Sequence, residues 1–210
     1  MKEKTGQKTL LASVVLSAPG PIVLGIGLFF GRSSTQIADF IRRTAELVAI
    51  IVSWLTYKAT AKDPMADPVK KEKLERTANL CVGWAMSLSG IAMLLISFLS
   101  NHSEKGNVVL SLVIAILGAI TNSWFWLRYR KLNREEPNAI IAVQSKLYRA
   151  KALVDICVTT ALAAIAIAPT SPAAAYLDII GSVIVAVYLL VNGLLIVFKK
   201  STPESKVGRA

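Results

Sequence analysis

The chain has one histidine and two cysteines in 210 residues, and 13 acidic side chains against 24 basic ones. A single histidine, His102, sets aside metal centres and triads built on histidine clusters. Cys81 and Cys157 lie in separate apolar stretches with no pairing interval. They read as core side chains and not as a disulfide framework or a redox pair, and they indicate no redox compartment. No glycine-rich phosphate loop is present, and no nucleophile is set beside a histidine, so an enzyme is the least expected class and no cofactor is implied. The shortage of acids leaves a net charge of +11. Such a balance suits nucleic acid, yet the bases gather at the ends of apolar runs and do not interleave with exposed aromatics. The pattern speaks for membrane orientation and against a nucleic-acid partner.

What the chain has in abundance is apolar length. Its hydrophobic fraction is 54% and its mean hydropathy +0.54, against roughly 45–50% apolar residues in soluble domains. The expectation is an all-α polytopic membrane protein whose first partner is the lipid bilayer. Six stretches, at about 9–31, 36–58, 78–100, 108–127, 147–168 and 175–198, have the length for a helix to cross a ~30 Å hydrocarbon core. The first follows a short basic segment without a small-residue cleavage site, so it reads as a span and not as a removed signal peptide. Pro19-Gly20-Pro21 predicts a bend within it, and Gly27 and Gly31 permit close helix contact. Residues 1–200 are expected to form one transmembrane domain and 201–210 a short tail.

Nineteen of the 24 Lys and Arg residues fall in the amino-terminal segment, the 58–76 and 128–149 connections and the carboxyl tail. The positive-inside rule therefore places both termini and the two longer loops in the cytoplasm, in a plasma or inner membrane. The first of those loops carries two prolines and is expected to turn helical again before the third span. Arg128-Tyr129-Arg130-Lys131 reads as an interfacial anchor. Asn101-His102-Ser103 matches a glycosylation sequon, which has meaning only in a eukaryotic secretory context.

Two charged stretches interrupt the apolar pattern, Arg42-Arg43-Thr44-Ala45-Glu46 in the second span and Lys151-Ala152-Leu153-Val154-Asp155 in the fifth. In each, a base precedes an acid by four residues, which puts both on one helix face a turn apart. Ionic groups at mid-bilayer cost about 2.5–3.5 kcal/mol each on insertion scales, so these should turn inward and pair. The two spans run in opposite directions, and a shift of one turn or less sets Glu46 against Lys151 and Arg42 against Asp155. Removing one member of such a quartet strands its partner. Secondary candidates are Asp39 and Arg43, another i, i+4 pair, Asp178 near the start of the sixth span as a cap-like carboxylate, and Asn122. Asn122, Asn79 and Asn192 read as interhelical hydrogen-bond donors.

This layout resembles the transmembrane domain of the cation diffusion facilitator, or cation efflux, family over nearly the whole chain. The resemblance rests on Ala38-Asp39-Phe40-Ile41-Arg42-Arg43-Thr44-Ala45-Glu46 after a turn at 31–34, Lys73-Leu74-Glu75, Asn122, residues 147–155 and Leu177-Asp178. It implies a six-helix bundle, a homodimer and proton-coupled antiport of a divalent metal held between the second and fifth helices. Carried over, the four metal-ligand positions fall on Arg42, Glu46, Lys151 and Asp155. Two acids are kept, while the other two ligands are cations with no lone pair to give. A family histidine before the third span corresponds to Lys71, and the family's cytoplasmic metal domain has no counterpart. A tetrahedral zinc site is therefore not expected. The expectation is a transporter with an altered central site, in which Arg42 and Lys151 stand for metal ligands and Glu46 and Asp155 respond to a proton, a small cation or another small ion. The alternative is a non-transporting scaffold or regulatory subunit locked by Arg42–Asp155 and Lys151–Glu46 pairs.

Overall fold

The computed structural model describes residues 2–30, 34–62, 67–99, 108–167 and 172–198. The elements are α1 (Lys2–Ser17), α2 (Pro19–Phe30), α3 (Ser34–Lys62), α4 (Pro68–Leu99), α5 (Val108–Glu135), α6 (Ala139–Ile167) and α7 (Pro172–Phe198). α1 and α2 are one span broken at Ala18. Ala18 still donates its backbone N–H to Val14 at 3.0 Å, closing the last turn of α1. Pro19 then opens the next helix, where its missing N–H costs nothing. Among the described residues the fold is all-helical, and with α1 and α2 taken as one broken span the seven helices make six long segments.

Local chemistry sets the helix starts. The Asp67 carboxylate accepts the Val69 N–H at 3.0 Å, ahead of Pro68 at the first helical position. The helix resumption expected in the long loop thus begins ten residues before the apolar part of the span. Asn138 caps α6 in the same way, its side-chain carbonyl accepting from Ile140 at 2.9 Å and Ile141 at 3.3 Å.

Among the described residues four stretches are long and apolar enough to cross a membrane: Thr5–Ile26, Pro68–Leu95, Leu112–Glu135 and Ile180–Phe198. The remaining long helices, α3 and α6, are 29 residues each, about 44 Å at 1.5 Å per residue. These two carry the buried charges. Large apolar side chains such as Val23, Trp84, Ile114, Leu117, Ile184 and Leu195 are exposed around the outside. That outward apolar belt is the surface a lipid solvent requires.

Inside, α3 packs between the α1/α2 span and α4, α6 packs between α5 and α7, and α3 also meets α6. A seam of close backbone approach joins α4 to α7. A Cβ placed on Gly193 would sit 2.7 Å from the Gly83 carbonyl oxygen, and one on Gly90 would sit 2.8 Å from that of Ala186. Only glycine lets these backbones touch, the membrane device for gaining dispersion contacts where no hydrophobic force separates helix from lipid. Both cysteines are free and pack against the core. Tyr129 departs from its expected anchoring role: it is fully buried, shares a 2.8 Å hydrogen bond with Ser13 of α1 and stacks on Phe125. Arg130 and Lys131 alone in that cluster are exposed.

Candidate ion site between the charged helices

Glu46 lies at the α3–α6 contact with its side chain only 7% exposed. Its Oε2 is 3.4 Å from Lys151 Nζ of α6, and its Oε1 accepts a 2.9 Å hydrogen bond from the Ser89 hydroxyl of α4. Both carboxylate oxygens thus have a partner, each from a different helix. The Lys151 ammonium also stands over the Tyr148 ring, 5.1 Å from its centroid. Tyr148 is three residues earlier on α6, and helical side chains lean toward the amino-terminal turn, so this contact follows from α6 geometry alone.

Asp155, one turn further along α6, is held differently. It accepts a 2.5 Å hydrogen bond from Asn122 Nδ2 of α5. A Cβ on Gly118 would lie 3.1 Å from its Oδ2. Gly118 and Asn122 are four residues apart on one face of α5, so one offers room and the other an amide. Lys151, Arg42 and Arg43 reach Asp155 as Coulombic neighbours, and the same three act on Glu46. Arg43 also runs beside the helix break, its Nη1 3.4 Å from a Cβ built on Gly20.

Of the expected quartet, the structure brings Glu46 and Lys151 into direct contact. At Asp155 the neutral amide of Asn122 donates a hydrogen bond, and Arg42, the partner the antiparallel register points to, acts on the same carboxylate electrostatically. The amide comes from a third helix: α5 packs along α6 and presents Asn122 at that level. Asn122 is an interhelical donor, whereas Asn192 turns back to Tyr188 of its own helix at 2.9 Å. The side chains of Asp39 and Asp178 lie outside the described residues, as do His102 and the turn at 31–33.

Three residues of the site are missed by sequence reasoning. Ser89 is one hydroxyl among several in α4, and Ser87 nearby bonds its own helix at Gly83. Gln144 of α6 is fully buried and donates to Ser53 of α3 at 2.8 Å. Ser53 in turn bonds the Ala49 carbonyl. The signal for that pair was arithmetic: Ser53 is seven residues after Glu46 and Gln144 seven before Lys151, the step antiparallel helices share.

Among the described residues no group of three or more His, Cys, Asp or Glu side chains is placed to hold a metal ion. What the site offers is two carboxylates on different helices, Glu46 of α3 paired with a tethered ammonium and Asp155 of α6 hydrogen-bonded to an amide. In comparison with known proteins, residues 10–202 match the family model described as the cation efflux transmembrane domain. No curated protein matches the chain.

Proposed function

The chain belongs to the cation efflux family and is an integral membrane protein, and on that premise we propose that it transports a small cation through a central site neutralised from within. The observation that carries the reading is the 3.4 Å contact between Lys151 Nζ and Glu46 Oε2, at positions where the family resemblance puts metal ligands. An ammonium has no lone pair for a metal and repels a divalent ion. Glu46 and Lys151 therefore act as a resident pair. Asp155 is the carboxylate free to exchange a proton for the transported ion, because its hydrogen bond comes from an uncharged amide that serves either protonation state. Relative movement of α3 and α6 then exposes Asp155 to one side at a time. Cytoplasmic termini, a homodimer, antiport and a plasma or inner membrane setting belong to this proposal.

One observation favours a second reading. Both oxygens of Glu46 are already satisfied by Ser89 and Lys151, as they would be in a structural lock that needs no ligand. Proteoliposomes loaded with a pH dye and challenged with a panel of monovalent and divalent cations decide between them. Cation-dependent proton movement that disappears with Asp155→Asn supports transport. No movement with any cation, or movement indifferent to that change, leaves the lock.

A further inference from the structure

We propose that the seat filled by Lys151 Nζ is a primary-ammonium site, and that a small amine in its ammonium form occupies it when Lys151 turns from Glu46 to Asp155. The part of this statement that concerns a carried substrate rests on the transport reading; the binding part does not.

The seat has the parts that ammonium recognition uses. Glu46 Oε2 lies 3.4 Å from the nitrogen. Ser89 fixes the other oxygen at 2.9 Å and so aims the carboxylate. The Tyr148 ring offers its face at 5.1 Å. An aromatic face attracts a weakly hydrated organic cation once it is desolvated, whereas a small metal ion keeps its water and asks for several oxygen ligands. Tyr148 itself is rigidly placed: it is fully buried, lies 5.0 Å from Phe125 and 5.3 Å from Tyr129 between ring centroids, and shares a 3.3 Å hydrogen bond with Ser17. The ring is therefore preorganised, whatever sits on it.

Lys151 also has somewhere to go. Asp155 is four residues ahead on the same helix, which places the two side chains on one face, and Lys151 already acts on that carboxylate electrostatically. Arg42 and Arg43 act on that carboxylate electrostatically as well. A tethered ammonium shared between two carboxylates leaves one of them open to a free ammonium, and a proton arriving at Asp155 returns Lys151 to Glu46 and displaces it. No covalent bond changes in this exchange.

The test is chemical complementation of Lys151→Ala in nanodiscs, read as thermal unfolding. Removing the side chain beyond Cβ empties the seat and leaves room beside Glu46 for a free amine. Methylammonium chloride should raise the unfolding midpoint by several degrees at saturation, and sodium chloride or tetramethylammonium chloride at equal concentration should not. In the unsubstituted chain the apparent affinity should be roughly tenfold or more weaker, because the tethered group competes. The double variant Glu46→Gln/Lys151→Ala should lose the response. If Lys151→Ala can be purified only with methylammonium present, that recovery is itself the complementation. A methylammonium response no larger than that of sodium, or failure to recover Lys151→Ala under either condition while the double variant folds, overturns the proposal. Cation flux without complementation would sink the ammonium site and leave transport standing. Complementation without flux would do the reverse.

Discussion

Gln144 donates its side-chain amide to Ser53 at 2.8 Å, two helical turns from the Glu46–Lys151 contact along both α3 and α6. The Ser53 hydroxyl proton goes to Ala49, so Ser53 can only accept from Gln144, and this assigns the amide's orientation. Gln144 Oε1 is left buried without a hydrogen-bond partner among the described residues. The charged pair is thus followed, toward the carboxyl end of α3 and the amino end of α6, by a neutral polar pair on the same seam.

That asymmetry makes the two members of the neutral pair unequal. Gln144→Leu removes a hydrogen bond but also removes a buried bare acceptor, so its net effect should stay within about 1 kcal/mol. Ser53→Ala keeps the glutamine and strands both ends of its amide, which should cost about 1–3 kcal/mol. Chemical denaturation of the two variants in the same detergent checks the order. Equal losses would contradict the assigned orientation.

The Glu46–Lys151 contact should behave as a coupled unit. Lys151→Met leaves a buried carboxylate with Ser89 as its direct partner and should lose about 3–5 kcal/mol, whereas Glu46→Gln/Lys151→Met replaces the pair with neutral groups and should recover most of that loss. A double-mutant cycle on unfolding free energies measures the coupling, and a value near zero would mean that the 3.4 Å approach carries no energy.

The α4–α7 seam gives a steric prediction. Gly193→Ala puts a methyl 2.7 Å from the Gly83 carbonyl oxygen and against Ser87, neither of which can retreat without parting the helices. Gly181 differs, since a Cβ there would lie at ordinary distance, 3.5 Å, from Cys157. Gly193→Ala should lower the unfolding midpoint by several degrees more than Gly181→Ala, readable by fluorescence-detected size exclusion after heating. Two matching curves would show the seam to be slack.

How far the sequence could be read depended on how many helices a feature involves. The break at Pro19 and the caps at Asp67 and Asn138 are local, and proline and side-chain carbonyl chemistry declares them. Glu46 with Lys151 involves two helices, and spacing plus opposite chain directions suffices to bring them together. Asp155 involves a third. Nothing in the α3 and α6 patterns says that α5 brings Asn122 to that level, so the amide that bonds Asp155 is not legible from those two helices. Ser89 was hidden for another reason: a hydroxyl in a membrane helix usually bonds its own backbone, as Ser87 and Ser97 do, and only packing reveals the exception. Tyr129 misled because a basic flank resembles an anchor, while its ring belongs to the aromatic core with Phe125 and Tyr148.

The two carboxylates should separate stability from transport. In Asp155→Asn the new side chain can still offer an oxygen to Asn122 Nδ2 and still fits beside Gly118, so the unfolding midpoint should stay within a few degrees of the unsubstituted chain. The exchangeable charge is gone, and cation-coupled proton movement in proteoliposomes should fall to the background of empty vesicles. Glu46→Gln reverses the order of effects. It strips Lys151 of its carboxylate in a buried setting and weakens the Ser89 hydrogen bond from a charged to a neutral acceptor, so stability should drop by about 3–5 kcal/mol. Residual coupling to inorganic cations in whatever fraction stays folded should persist, because Asp155 and Asn122 are untouched, whereas any coupling to methylammonium should vanish with the seat at Glu46. Measuring both quantities on both variants in one lipid mixture tests the division of labour, and a reversed assignment, with Asp155→Asn unfolding the protein and Glu46→Gln merely silencing it, would exchange the roles given to the two acids.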